Sequence, residues 1–331
     1  MWPSELFNIW NDMWEERADR TLQIGAELVP PGKNKLVKID IAKLPTGTLI
    51  DIPVHVFNSK NPGPVVLLQA GLHGDEINGV ETLRRMLADK TLNICRGTVI
   101  VVPILNVFGF IHFSRDVPDG KDVNRSFPGS KNGSLASRIA YNYANELLPQ
   151  IDIAIDLHTG GGQRHNHPQV RYTLGDDNGK ELAEVFNAPF YFSSKLIKGS
   201  FRNDAYKKGK TVIVYEAGES MRFDGDSIAI ACQGITNVLH HLKMLEGVKD
   251  AKTSVSQHLI MTRWVRAPRA GMFIPKVKNG MAIKKGEIMG IISDTYAKRS
   301  KNIIAPNSGF VFCINNQAVV NQGDAIFHIG Q

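Results

Sequence analysis

The sequence predicts an α/β protein: a mixed or parallel sheet flanked by helices, followed by an all-β domain. Three observations carry this. Short continuous apolar runs, as buried strands have, alternate with helix-length amphipathic stretches between about 65 and 246. Near residue 255 the texture changes to short strands punctuated by Gly, Asn-Gly and Ala-Pro. A length of 331 residues suits about two domains. The expected division is a helical N-terminal extension over 1–34, a main domain over 35–254 and a β-rich domain over 255–331.

Residues 3–20 read as an amphipathic helix, with Leu6, Trp10 and Trp14 on one face. Its polar face is mixed in sign, which suits packing or a homo-oligomer contact better than a membrane surface. Pro30-Pro31-Gly32 breaks the chain. Strand-like runs follow at 35–41 and 48–57, split by the turn Pro45-Thr46-Gly47. After Asn61-Pro62-Gly63-Pro64 come a buried strand at 65–70, a helix at 78–89 and a second buried strand at 99–103. A helix at 135–148, strands at 151–157 and 211–216, and a long helix at 227–246 complete the α/β part. The tail holds two loosely similar halves. Each runs from Ala-Pro through alternating apolar residues to Lys-Gly-Glu or Gln-Gly-Asp before a last strand.

Composition narrows the function classes. Apolar residues make up 43% and charged residues 21%, an ordinary globular balance. The net charge of +7 is spread along the chain without a basic tail, so nucleic acid is not expected as a partner and anionic small molecules are. Cys95, Cys232 and Cys313 make no CxxC pair or disulfide framework, pointing to a reducing, cytoplasmic compartment. The first residues lack the pattern of a signal peptide, and no stretch approaches the ~20 apolar residues that span a bilayer.

The chemistry sits at the strand ends. The segment VVLLQAGLHGDEINGVETL sets His73 and Glu76 just after an apolar run, and IDIAIDLHTGG ends one near His158. Two imidazoles and a carboxylate form a three-ligand set for one zinc ion, with a fourth position open for chemistry. In isolation the His73–Glu76 pair is ordinary: a loop histidine and a carboxylate favoured by a helix N-terminus. Gly71 and Gly74 change the balance, because they permit a tight turn and close backbone approach. Asp156, two residues before His158, shares its strand face. It reads equally well as a carboxylate behind the imidazole or as a cap of the following turn. Glu216 ends the apolar run VIVYEAGE; a carboxylate there must be paired or functional, and the functional reading is a general base. In SRDVPDGKDVNRSFPG, Asn124 and Arg125 lie in a Gly- and Pro-rich loop, where the arginine fork suits a carboxylate.

Taken together and in order, GLHGDEINGVETL, DVNRSFPG, DLHTGG and YEAGE resemble the aspartoacylase/succinylglutamate desuccinylase family, within the zinc carboxypeptidase group. The likeness covers roughly residues 45–330. It implies a zinc-carboxypeptidase-like sheet, His73, Glu76 and His158 as zinc ligands, and Glu216 as the catalytic carboxylate. It implies Asn124 and Arg125 as the clamp for a substrate carboxylate, Arg115 as the group that polarises the scissile carbonyl, and Arg202 as a further substrate-binding arginine. The implied reaction is attack of water on the amide of a small anionic N-acyl amino acid. Glu216 moves the proton to the leaving amine.

Two other readings compete. One is a zinc carboxypeptidase acting on short peptides; a small, covered site argues against it. The other is a non-catalytic binding or carrier protein, because the tail also resembles a biotinyl/lipoyl-type barrel, a barrel-sandwich-like fold. A carrier needs a lysine in a Met-Lys-Met-like context, and the corresponding stretch IISDTYAKRSKNIIAPNSG lacks one.

Overall fold

In the computed structural model, residues 20–247 and 256–331 are described. The helix expected over 3–20 therefore lies outside the described residues. The chain opens with strands β1 (Leu22–Ile24), β2 (Glu27–Val29), β3 (Lys33–Lys43), β4 (Leu49–Asn58) and β5 (Val65–Gln69). Helix α1 (Ile77–Ala88), strand β6 (Thr98–Val102), a short helix α2 (Val107–Ile111) and a 3-10 turn at Val123–Arg125 follow. Next come α3 (Leu135–Leu147), β7 (Ile153–Gly160), β8 (Arg164–Thr173), α4 (Asp177–Phe186), β9 (Phe190–Ser194), α5 (Phe201–Lys207), β10 (Thr211–Glu219) and α6 (Gly225–His241). The remainder is all strand: β11 (Gln257–His258), β12 (Thr262–Arg266), β13 (Gly271–Pro275), β14 (Ala282–Ile283), β15 (Ile288–Ser293), β16 (Ser300–Ile304), β17 (Gly309–Asn315), β18 (Val319–Val320) and β19 (Ala325–Gly330).

The expected mixed α/β sheet is present. Strands β6, β5, β7 and β10 run parallel at its centre, while β3, β4 and β8 add antiparallel partners. Along each central strand, alternate residues face opposite layers, as a period of two requires. Val65, Leu67, Ile100, Val102 and Val212 meet α3 and α5 through Ile139, Tyr143, Leu147 and Phe201. Val66, Leu68, Val99, Val101 and Ile213 meet α1, α4 and α6 through Leu83, Phe186, Ile235 and Val238. Burial on both faces is why these strands read as unbroken apolar runs.

Helix α6 stops at His241, short of the expected 246. The chain turns through Leu242 and a left-handed Lys243 (φ 56°), so that Met244 accepts from the Cys95 N–H at 2.8 Å. That pairing with the segment just before β6 outweighs the helical pattern of the sequence.

The two tail halves close on each other. Gly286 donates its N–H to Ala305 and Gly323 donates to Ala267, each at 2.9 Å. The Gly-Glu and Gly-Asp turns thus each clasp the Ala-Pro of the other half. β16, β15, β13 and β18 form a separate antiparallel sheet. Strands β12, β19 and β17 instead extend the main sheet, because β17 pairs with the start of β8 at Asn166, His165 and Arg164. The later part of β8, from Gln169 to Thr173, pairs with β9. One edge of β8 thus serves both parts of the molecule.

Candidate active site

The turn after β5 carries His73 and Glu76. Gly71 has φ +59°, which suits glycine, and at Gly74 an added Cβ would lie 1.9 Å from the Gly109 carbonyl carbon. The two glycines let the chain reverse tightly against α2. Glu76 occupies the N-cap of α1, yet its side chain makes no cap hydrogen bond. It turns inward, only 2% exposed, so it is more than the ordinary helix-start carboxylate of the alternative reading.

The carboxylate faces both imidazoles: Oε1 is 2.8 Å from His73 Nδ1 and Oε2 is 2.8 Å from His158 Nδ1. The Thr159 N–H donates to Oε2 at 3.0 Å. The far nitrogens face carboxylates as well. Asp156 Oδ2 lies 3.0 Å from His158 Nε2, and Asp122 Oδ1 lies 3.4 Å from His73 Nε2. Of the two readings of Asp156, the structure selects the carboxylate behind the imidazole. Donor atoms of His73, Glu76 and His158 lie within 4.8 Å of one another, and all three side chains are buried. Neither ring nitrogen of His73 completes a hydrogen bond despite these short distances. Buried nitrogens left without hydrogen-bond geometry around a shared carboxylate suit a metal ion better than a proton network.

Electrostatics agree with this arrangement. Burial opposes charge on every member, but the two imidazoles hold Glu76 well below the usual carboxylate range. Burial likewise pulls His158 down, yet the charges of Asp156 and Glu76 raise it well above an ordinary histidine. His73 is raised for the same reason, by Glu76 and Asp122.

The other predicted residues line one cleft of about 420 Å³ with the triad: Arg115, Asn124, Arg125, Arg202 and Glu216. Glu216 stands opposite His158 in the parallel pairing of β10 with β7, at a point where the strand bulges and continues to Glu219. Paired residues of adjacent strands share a face ~4.8 Å apart. Asn166 donates to Glu216 Oε2 at 2.8 Å, and Arg171 Nη1 is 3.1 Å from Oε1. Glu219 instead accepts from Asn316, at 2.8 Å. Arg115 reaches Glu76 Oε1 at 3.4 Å and Asp122 Oδ2 at 2.8 Å, so it sits beside the triad. Asn124 accepts the Phe201 N–H at 2.9 Å through Oδ1. Arg202 lies in the first turn of α5, 8% exposed, and donates to the Lys195 carbonyl at 3.0 Å. Burial and nearby Arg171 lower its pKa to about 10.

Sequence reasoning missed Asp122, Arg164, Asn166, Arg171 and Trp264. Asp122 stood inside the DVNR segment and is the N-cap of the 3-10 turn. Arg164, Asn166 and Arg171 lie on a strand with interspersed polar residues, the available signal of a face turned to a cleft. Trp264 had no signal, because it reaches the cleft from the C-terminal strands.

The model for the succinylglutamate desuccinylase/aspartoacylase catalytic domain matches residues 62–242. An N-alpha-acetyl-L-2,4-diaminobutyric acid deacetylase from Halomonas elongata is 28% identical over 297 residues, covering 85% of each chain. A succinylglutamate desuccinylase/aspartoacylase from Rhodobacter sphaeroides superposes with a TM-score of 0.80 at 25% identity, over 90% of this chain and 95% of its own. The product-bound ectoine utilization protein EutE (DoeB) from Ruegeria pomeroyi also gives 0.80 at 25% identity, over 91% and 97%. With more than half of its length matched by the catalytic-domain model, this chain belongs to the succinylglutamate desuccinylase/aspartoacylase family.

Proposed function

We propose that this protein is a zinc-dependent amidohydrolase that cleaves the amide bond of a small N-acyl amino acid. The observation that carries the reading is the convergence of His73, Glu76 and His158 in a cleft that also presents Glu216 and several arginines. A volume of about 420 Å³ suits a small molecule. The name of the Halomonas relative supports an acyl amino acid in that role, with acetyl as the first acyl group to test. The three cysteines, all free, fit a reducing cytoplasmic setting. No described helix is long and apolar enough to cross a membrane.

His73, Glu76 and His158 would hold the ion, with Asp122 and Asp156 orienting the imidazoles. Zinc bound there supplies Lewis acidity, which brings water deprotonation near neutral pH. Asn166 and Arg171 fix the Glu216 carboxylate, which takes the proton of the attacking water and returns it to the leaving amine. Arg115, anchored by Asp122, points a guanidinium at the oxyanion that develops on the carbonyl. Asn124 and Arg125 hold the substrate carboxylate and aim the amide. The division into an extension (1–34), a catalytic region (35–254) and a C-terminal module (255–331) is part of this reading, the module forming one wall of the cleft through Trp264.

The test is amine release from a panel of N-acetyl and N-succinyl amino acids and short peptides, using zinc-loaded protein. Glu216→Gln should keep its metal and lower kcat by roughly 10²–10⁴-fold. Chelation should abolish turnover, and zinc should restore it. Release from peptides alone would move the assignment to a carboxypeptidase; full activity in Glu216→Gln would remove that residue from the mechanism.

A further inference from the structure

The outer face of the separate C-terminal sheet is apolar, where the solvent side of an antiparallel sheet is ordinarily polar. Along β13, β15, β16 and β18, Phe273, Met289, Ile292, Ile303 and Val320 turn inward to the core of the module. Their neighbours turn outward in register: Val319 opposite Met272, Ile274 opposite Ile291, and Ile288 opposite Ile304. Met272, Ile274, Ile288, Ile304 and Val319 are 36% to 66% exposed. Ser293, Ser300 and Asn302 complete the face, and among the described residues of these four strands none is acidic. A continuous exposed apolar patch of this kind marks an interaction surface.

Charge narrows the partner. Although no run of basic residues marks it, the part from 256 to 331 holds ten Lys and Arg against three Asp and Glu, which accounts for the whole +7 of the chain. Arg299, whose carbonyl accepts the Asp294 N–H, stands at the Met272 end of the face. Lys276, whose N–H donates to Met289, stands at the Ile288 end. Two copies of so basic a module repel each other, so the face does not suit itself. It suits a segment that is both apolar and acidic. The chain holds such a segment outside the described residues: 1–19 carry Leu6, Trp10 and Trp14, with five Asp and Glu against one Arg.

Reach decides which copy that segment serves. Arg20 is fixed on the Pro149 and Gln150 carbonyls, just before the start of β7. The module joins the main sheet where β17 pairs with the start of β8, beside the far end of β7. That point is the length of β7 away, about 26 Å, and three strands across, about 14 Å. On the helix that the sequence predicts, Trp14 lies about 9 Å and Leu6 about 21 Å from Arg20, short of the sheet of the same chain.

We propose that residues 1–19 of a second copy dock on the outer face formed by Met272, Ile274, Ile288 and Ile304, in a reciprocal exchange that makes a two-fold dimer. The Leu6, Trp10 and Trp14 stripe covers the apolar patch, and the acidic side chains of the segment meet Arg299 and Lys276 at its ends. The proposal is independent of the catalytic reading.

The full chain is followed by analytical ultracentrifugation over a range of protein and salt concentrations. It should be a dimer, with a dissociation constant that rises roughly ten-fold between about 50 and 500 mM salt. Ile274→Lys, at an exposed position, and Trp10→Ser should each weaken the dimer roughly ten-fold or more. The double substitution should lose less than the two losses combined, because the two side chains meet. Cooperative thermal unfolding checks that each variant folds, and Ile304→Lys is a second lesion of the same face. A crosslinking arm separates the copies. In a chain with Cys95→Ser and Cys232→Ser, Trp10→Cys and Ile274→Cys are introduced together and treated with a short bismaleimide. Covalent dimer is expected; a cyclised monomer overturns the proposal. A chain that stays monomeric, a dimer indifferent to Ile274→Lys and Ile304→Lys, or additive losses in the double variant overturn it equally. So does a monomer that binds phosphatidylserine vesicles through this face, which assigns the patch to a lipid surface.

Discussion

Glu76 stands at the N-cap of α1 without capping it, its carboxylate spanning His73 and His158 instead. Leaving a helix N-terminus without its usual side-chain acceptor costs about 1 kcal/mol, and the group so released is buried where only a cation or donors can satisfy it. Asp122 and Asp156 face the far nitrogens of the two imidazoles, close enough to orient the rings when an ion is bound. Asp122→Asn and Asp156→Asn should therefore keep the fold and weaken zinc affinity by roughly 10–100-fold each, measured by competition with a chromophoric chelator. Binding must also displace protons, because Glu76 and Asp156 raise His158 above an ordinary histidine. Apparent zinc affinity should accordingly rise with pH through and beyond the neutral range; a flat profile would show that His158 is not a ligand. The convergence of His73, Glu76 and His158 was legible in the sequence because each residue follows or ends an apolar run. Asp122 was not, since nothing local in the sequence says which loop will lie behind His73.

At the scale of elements, the turn between β5 and α1 and the strand β8 do most of the positioning. Gly74→Ala would put a methyl group 1.9 Å from the Gly109 carbonyl carbon, against backbone that cannot yield. It should lower stability by about 1–3 kcal/mol or more and reduce the zinc bound per chain. Gly225→Ala, where an added Cβ meets nothing within 4 Å, is the control for thermal unfolding and metal content. Strand β8 carries Asn166 and Arg171, which hold Glu216, and Arg164, which lies on Trp264. Its outer edge is shared between β17 and β9. This strand was not read from sequence. Polar cleft-facing residues and Pro168 break the apolar alternation, so its pattern resembles a loop more than a buried strand.

For the whole molecule, the C-terminal strands are continuous with the main sheet through β17 and bring Trp264 to the cleft. His328 lies in that junction, stacked on Trp264 and tilted against Phe312. Burial, with Arg171 nearby, lowers its pKa to about 3. The unfolded value is about 6.5, so the unfolded chain takes up the proton first as pH falls. The stability tied to neutral His328 is complete above about pH 6.5 and is lost progressively toward pH 3, by at most about 1.4 kcal/mol per pH unit. The Tm of the protein should fall between pH 7 and pH 5, and His328→Phe, which keeps a stacked ring, should fall less over that interval. The sequence by itself determined the alternation of buried strands and helices, the placing of His73 just after a strand and of His158 and Glu216 near the C-terminal ends of theirs, and the two-half pattern of the tail. Those features are local: apolar periodicity and turn residues act over a few positions, and the sheet then fixes where strand ends point. Only the tertiary structure decided that Asp122 stands behind His73, that β8 supports Glu216, and that Arg164 meets Trp264 across about a hundred residues of chain. Those contacts arise from strand pairing between distant segments, whose register depends on the packing of the whole core rather than on any pattern within one segment.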